Sequence, residues 1–339
     1  MLRLRAFEYV EARDLQDACR LLQEGNGKAA ALAGGTDLLV RQKQAIGPLR
    51  RMVNIKRIPG IRGIHASEDG RVEIGPLTSL SEIESSPLVR ERYPALACAA
   101  ACVATPQIRN VGTLGGNICQ DARCWYVNRS SLWRKATGPC LKLGEDVCHH
   151  IKGGQRCLAL FLGDTVPPLI ALDAEIDMVG ATGGRRLPLG QFYTGRGEQP
   201  NILCATEIVS KIILPLLPSS TAAGYMRFAL RGEMDYLILG LAVRLTRGER
   251  DQVYPDARVI LIGARPGPLR LRRAEAVLVS GPLTRERLEA VADAASRESR
   301  PVPNRGFSAW YLRAMVRTLV KRGVEKALQS AAPTTEVRS

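Results

Sequence analysis

The chain has 339 residues, 45% hydrophobic and 24% charged, which excludes disorder, collagen and coiled coil and, at roughly 100 to 200 residues per domain, predicts two or three domains. Its 48 Lys and Arg against 33 Asp and Glu give +15, which favours an acidic partner or an anionic cofactor. Nucleic acid is set aside because aromatics are only 5% of the chain and the basic residues are scattered. Uncharged apolar runs such as Tyr236 to Val243 fall far short of the roughly 20 residues that span a bilayer, and residues 1–8 lack the apolar core of an export signal, so a cytoplasmic protein without membrane association is expected.

In chain order, Asp14 caps a helix whose Leu15, Ala18, Leu21 and Leu22 share a face and which Gly25 ends. Residues 29–33 read as a strand running into Gly34-Gly35-Thr36-Asp37, and a second helix follows from about Asp37. Met52 to Ile55 is a short strand, residues 62–75 a hairpin turning at Asp69-Gly70, and Ser79-x-x-Glu82 a capping box. The small apolar residues of 93–103 suit a close-packed helix, which leads into a second glycine-rich turn, Gly115-Gly116-Asn117. Residues 120–157 follow neither helical nor strand periodicity and hold seven basic side chains, Arg123, Arg129, Arg134, Lys135, Lys142, Lys152 and Arg156. Strands resume near 175–179 and 207–214, and Pro215, Pro218, Ser219 and Ser220 mark a boundary. Beyond it, strands near 225–230, 238–246 and 257–263 precede helices near 284–297 and 308–329. The last of these carries a stripe of Leu312, Met315, Val316, Leu319, Val320 and Val324 suited to packing on a sheet. The tail 331–339 is expected to be flexible.

Two constellations bear chemistry. Each glycine turn lets backbone approach a ligand closely, and two such turns together suit one pyrophosphate, so bulk at Gly35 or Gly116 is expected to fill the space it needs. Gly25-x-Gly27-x-x-Ala30 follows a helix instead of a strand and reads as a helix stop. Nine cysteines without an export signal predict reduced thiols. Cys124, Cys140, Cys148 and Cys157, spaced by 16, 8 and 9 positions, form a complete ligand shell for zinc or an iron-sulfur cluster, and the spacing leaves the metal open. His149 and His150 read as exposed, and Cys19, Cys98, Cys102 and Cys204 as core. With three histidines and no triad, cofactor-borne chemistry is the better reading, with no catalytic residue in this chain.

Residues 31–38, Ala-Leu-Ala-Gly-Gly-Thr-Asp-Leu, together with Gln107-Ile-Arg-Asn-Val-Gly-Thr-Leu-Gly-Gly-Asn117, resemble the FAD-binding medium subunit of the molybdenum hydroxylases, the xanthine dehydrogenase family, over nearly the whole chain. The resemblance implies an α+β fold: a two-part FAD-binding domain of the vanillyl-alcohol-oxidase/PCMH type, residues 1–220 with parts at about 1–58 and 59–220, then a C-terminal α+β domain of the CO dehydrogenase flavoprotein type at 221–330. The insert at about 120–160, with Cys-Gln-Asp-Ala-Arg-Cys at 119–124, resembles that of the β subunit of 4-hydroxybenzoyl-CoA reductase, an electron-transfer subunit that binds a 4Fe-4S cluster there. Aldehyde oxidoreductases, whose four-cysteine insert is spaced differently, are the alternative, and a zinc-stabilised binding module the rival of another class.

By this resemblance the amides of Leu32, Ala33, Gly34, Gly35, Thr36, Asp37, Leu38 and Leu39, with those of Thr113, Leu114, Gly115, Gly116 and Asn117, hold the FAD pyrophosphate. Asp164 is a polar FAD ligand. Arg227 stands where relatives often have lysine, a change of reach and hydrogen-bond geometry. The cluster ligands are Cys124, Cys140, Cys148 and Cys157, with Cys119 a neighbour only. Implied partners are a large subunit with a molybdenum-pterin cofactor and a small subunit with two 2Fe-2S clusters, assembled as a dimer of heterotrimers. Ferredoxin is the implied electron donor.

Overall fold

A computed structural model describes residues 4–331 apart from Lys152, Glu233 and Asp251. Lys152 of the basic set and the tail from 332 onward lie outside the described residues. The described residues form three sheets. The first contains β1 (Glu8–Glu11), β2 (Ala29–Leu32) and β3 (Arg51–Asn54), all parallel, in the order β1-β3-β2. Its first crossover is the helix Leu15–Glu24. Asp14 caps that helix by accepting from the Asp17 N–H, and Gly25 ends it; Ala18, Cys19 and Leu22 face the core.

The second sheet holds β4 (Ile64–Ala66), β5 (Val72–Ile74), β6 (Glu175–Gly180), β7 (Gly183–Pro188) and β8 (Ile208–Leu214), antiparallel in the order β4-β5-β8-β6-β7. The expected capping box is present: Ser79 accepts from the Glu82 N–H while Glu82 accepts from the Ser79 N–H. Fully buried side chains join the sheet to the helices Leu80–Ser85, Pro94–Ala101 and Val166–Ala171. Each large apolar side chain so buried contributes about 1.5–3 kcal/mol. Tyr93 is buried among them, and its hydroxyl donates to Pro215 O at 2.7 Å, so its one polar atom is satisfied.

The third sheet, β9 (Thr221–Phe228), β10 (Leu239–Thr246), β11 (Asp256–Ile262) and β12 (Leu269–Arg270), runs antiparallel in the order β12-β11-β10-β9. Helix Ala309–Ala331 covers it through the expected stripe, in which Leu312, Val316, Leu319, Val320 and Val324 are buried. The approach is close because Gly323 has no side chain: a Cβ there would stand 2.8 Å from Leu241 Cδ1's partner methyl, Leu241 Cδ2.

The mixed α+β class agrees with expectation, but several elements differ. β1, β7 and the helix Arg272–Val279 carried no clear periodicity. β7 is an edge strand with almost every residue exposed, so it has no apolar alternation to read. The second glycine turn is a short helix, Leu114–Ile118, capped by Thr113. Helical propensity is poor at Gly115-Gly116, yet close packing decides the conformation: a Cβ on Gly115 would meet Pro76 at 2.7 Å. Among the described residues of 120–157 there is one helix, Ser131–Thr137, and a single 3-10 turn, Leu141–Leu143. Cys204 is exposed and not core, because it sits in the turn before β8, where its N–H donates to Glu207 Oε2. Among the described residues no helix is long and apolar enough to cross a membrane.

Candidate functional site

The two glycine segments meet. Gly34 lies against the chain leading into the second segment, where a Cβ would stand 1.9 Å from Val111 O, so only glycine fits. Gly35 has φ +73°, but a Cβ there would point at Leu39 and Leu32, 3.0 and 3.2 Å away. Its constraint is conformational, and Leu32 and Leu39 back the turn from inside. This corrects the expectation that bulk at Gly35 fills ligand space directly. At Gly116 a Cβ would meet Thr113 Oγ1 at 3.0 Å and otherwise enter open space.

Between the segments runs a groove of about 510 Å³, within the size range of cofactor sites. Ala33, Gly34, Gly35, Thr36, Asp37 and Leu38 form one wall, and Thr113, Gly115 and Gly116 the facing one. Leu32, Leu39, Leu114 and Asn117 stand outside this lining. Leu114 is buried in the core, and Asn117 Oδ1 accepts from the Thr165 N–H at 3.2 Å and hydroxyl at 2.7 Å, tying the second segment to the residue after Asp164. Arg41 also lines the groove. Sequence reasoning missed it, although its position one helical turn after Asp37 was a usable signal.

Asp164 and Arg227 are brought together, but outside that lining. Tyr225 donates to Asp164 Oδ1 at 2.8 Å, and Arg227 Nε lies 3.2 Å from the same oxygen. Burial pushes Asp164 up to about 7, against the opposing pull of Arg227 and the tyrosine hydroxyl. Arg227 Nη2 also donates to Asp235 O. Tyr225 had no sequence signal, because only the strand register puts its hydroxyl on the carboxylate.

The insert gathers its cysteines. Cys124, Cys140, Cys148 and Cys157 line one cavity of about 20 Å³ together with Tyr126, Lys142, His149 and His150. All nine cysteines are free thiols. Cys119 borders the groove instead, and burial pushes its thiol up to about 12. Burial likewise raises Cys124, aided by Cys140 and Cys148, and holds Cys157 up at about 11. Thiols raised in this way stay protonated near neutral pH, and any metal they held would have to displace the proton. In number and softness the four suit a cluster or zinc. Yet the cavity has room for about one water, and among the described residues no three acidic, cysteine or histidine side chains stand at single-ion ligating positions.

The histidines are half-buried and engaged, not free: His149 Nε2 lies 2.8 Å from Pro139 O, and His150 Nε2 lies 2.7 Å from Pro303 O. Of the basic set, Arg123, Arg134 and Lys142 turn inward to partners, whereas Arg129 stacks 3.9 Å over the exposed Trp125 ring.

Comparison with known proteins adds the following. The family described as FAD binding domain in molybdopterin dehydrogenase matches residues 5–217, and the CO dehydrogenase flavoprotein C-terminal domain matches 224–327. The chain is 28% identical over 326 residues to the putative xanthine dehydrogenase FAD-binding subunit of Escherichia coli strain K12, covering 95% of this chain and 96% of that one. It is 29% identical to subunit alpha of the 6-hydroxypseudooxynicotine dehydrogenase complex of Paenarthrobacter nicotinovorans, covering 98% and 97%. The solved carbon monoxide dehydrogenase of Hydrogenophaga pseudoflava superimposes with a TM-score of 0.79 at 28% identity, covering 97% of this chain and all of that one.

Proposed function

The chain belongs to the family of FAD-binding domains in molybdopterin dehydrogenases, and on that premise we propose that it is the flavoprotein subunit of a multi-subunit molybdenum enzyme, with the redox cofactors FAD and 4Fe-4S in one chain. The observation that carries the reading is the groove between two glycine segments, where Gly34 permits contact between the walls and Gly116 leaves one wall bare. Bound there, the flavin supplies exchange between paired and single electrons, and a cluster on the insert supplies single-electron transfer.

In this reading the pyrophosphate lies along the backbone of residues 33–38 and against Thr113, Gly115 and Gly116, and Arg41 supplies positive charge; the N–H groups of Leu114, Gly115 and Gly116 are already given to Thr78 O, Pro76 O and Thr113 Oγ1, so on this wall the glycines contribute room and not donors. Asp164, with Tyr225 and Arg227, forms the buried polar end of the site. Domain boundaries near residues 58 and 220 follow the three sheets. Cys124, Cys140, Cys148 and Cys157 ligate the cluster, and Cys119 stays free. The four thiols bordering one cavity support this ligand set.

The molybdenum-pterin cofactor belongs to a large partner subunit and two 2Fe-2S clusters to a small one, in a dimer of heterotrimers. The insert further supports a reductase of 4-hydroxybenzoyl-CoA that draws on ferredoxin, since a one-electron centre is most useful facing a one-electron donor. The test supplies the purified complex with reduced ferredoxin or a low-potential viologen and 4-hydroxybenzoyl-CoA. Benzoyl-CoA is the expected product. Its absence, with rapid oxidation of simple aldehydes, transfers the assignment to an aldehyde oxidoreductase, and a preparation releasing no flavin on denaturation removes the reading altogether.

A further inference from the structure

Asp37 occupies the N-cap position of the helix Leu38–Lys43 yet makes no capping hydrogen bond. The insert takes both its carboxylate oxygens: Arg123 Nη2 donates to Oδ1, and the Asp121 N–H donates to Oδ2 at 3.3 Å. Asp121 then reaches the same helix again, 3.2 Å from Arg41 Nε. Its other oxygen accepts at 2.7 Å from Lys142 Nζ, which is nearly excluded from water and also donates to Gly197 O at 2.7 Å.

The far end of the helix is held as firmly. Arg134 is buried and donates to Gln44 O and Ala45 O, as well as to Val127 O and Arg129 O within the insert. Asn128 Nδ2 donates to Gln44 Oε1 at 3.3 Å. Truncating a buried guanidinium that serves several carbonyls leaves those acceptors unpaired, which costs more than the bonds themselves contribute.

The residues that grip the helix are also those that flank the thiols. Arg123 precedes Cys124, Lys142 stands two residues after Cys140, and Cys157 packs with Ala122, Ala159 and Leu141. Arg123 is itself fixed by two backbone hydrogen bonds to Leu160, both 2.8 Å. Any change that orders or loosens the insert therefore reaches Asp37 and Arg41, which line the groove.

We propose that the insert is a clasp on the helix Leu38–Lys43, with Asp121 and Arg134 as positioning residues that link the fold of the cysteine segment to the affinity of the groove for FAD. The inference deepens the flavoprotein reading above and rests on it. Linkage of this kind is reciprocal: metal on the thiols tightens FAD, and FAD orders the insert.

The test uses the full chain as purified with its partners and titrates FAD by flavin fluorescence in wild type, Asp121→Asn, Arg134→Ala and Lys135→Ala. Iron content and amide exchange over residues 38–43 are measured in parallel. Asp121→Asn and Arg134→Ala are expected to weaken FAD about tenfold and speed exchange in the helix, while exposed Lys135→Ala changes neither. Stripping iron from wild type is expected to weaken FAD in the same direction. Should Arg134→Ala fail to fold, Arg134→Lys keeps the charge, loses the planar fork and is expected to show the same weakening. Wild-type affinity and exchange in the clasp variants overturn the inference alone, as does equal weakening by Lys135→Ala. A wild-type protein that binds no FAD overturns the reading beneath it.

Discussion

The glycine groove and the cysteine insert are held together by opposite means. In the groove the backbone itself is the structural material: Gly34 touches Val111 O, Gly115 sits on Pro76, and Thr113 caps its own short helix. In the insert little backbone is paired regularly, and order comes from buried charged side chains, Arg134 on carbonyls and Lys142 on Asp121. The groove is therefore intolerant of added atoms, whereas the insert is intolerant of lost ones. A backbone-built site can exist before its ligand arrives, whereas a segment held by desolvated charges depends on keeping every partner it has.

The largest effect expected from breaking this contrast is at Gly34. Gly34→Val places carbon inside Val111 O and is expected to cost about 3 kcal/mol or more, read as loss of bound flavin with a lowered thermal midpoint. Gly116→Val, with only Thr113 Oγ1 at 3.0 Å to meet, is expected to lose flavin while the midpoint moves less. Equal destabilisation by both changes would show that the second wall is packed as tightly as the first.

Next comes the insert. Cys148→Ser is expected to lose most of the iron and Cys119→Ser to keep it, by iron analysis of each variant. The reverse outcome would move the ligand set toward the groove, and stoichiometric zinc in wild type would replace the cluster.

A smaller effect is expected where the groove's neighbour carries a buried charge. Asp164, raised from 3.8 to about 7, keeps its proton in the folded protein at pH values where the unfolded chain has lost it. Its contribution is thus fully present below about pH 4 and lost as pH rises toward 7. Asp164→Asn is expected to flatten the pH dependence of the thermal midpoint across that window, compared in melts of the two proteins. An unchanged slope would mean that Arg227 keeps the carboxylate ionised.

The smallest is Thr113→Ala, which removes the hydroxyl that accepts from the Gly116 N–H at 3.1 Å. A loss of about 1 kcal/mol is expected, measured by denaturant unfolding, and a much larger one would make the cap part of the groove's packing.

Periodicity and capping, which are local, were legible without coordinates: the Asp14 helix, the Ser79 box, the Ala309–Ala331 stripe and the strand that leads into the first glycine segment. Clustering in a segment without helical or strand periodicity marked the four cysteines as a group, and the alternation of strand and helix patterns marked the chain as mixed α/β. Only the tertiary structure decided that Gly34 and not Gly35 makes the tight contact, that Gly115-Gly116 lies in a helix, and that Tyr225 meets Asp164. Those depend on which distant backbone arrives within van der Waals distance. The pairing of Asp37 with Arg123, 86 residues apart, belongs to the same class, since charges far apart in sequence interact only after the fold has removed the water between them.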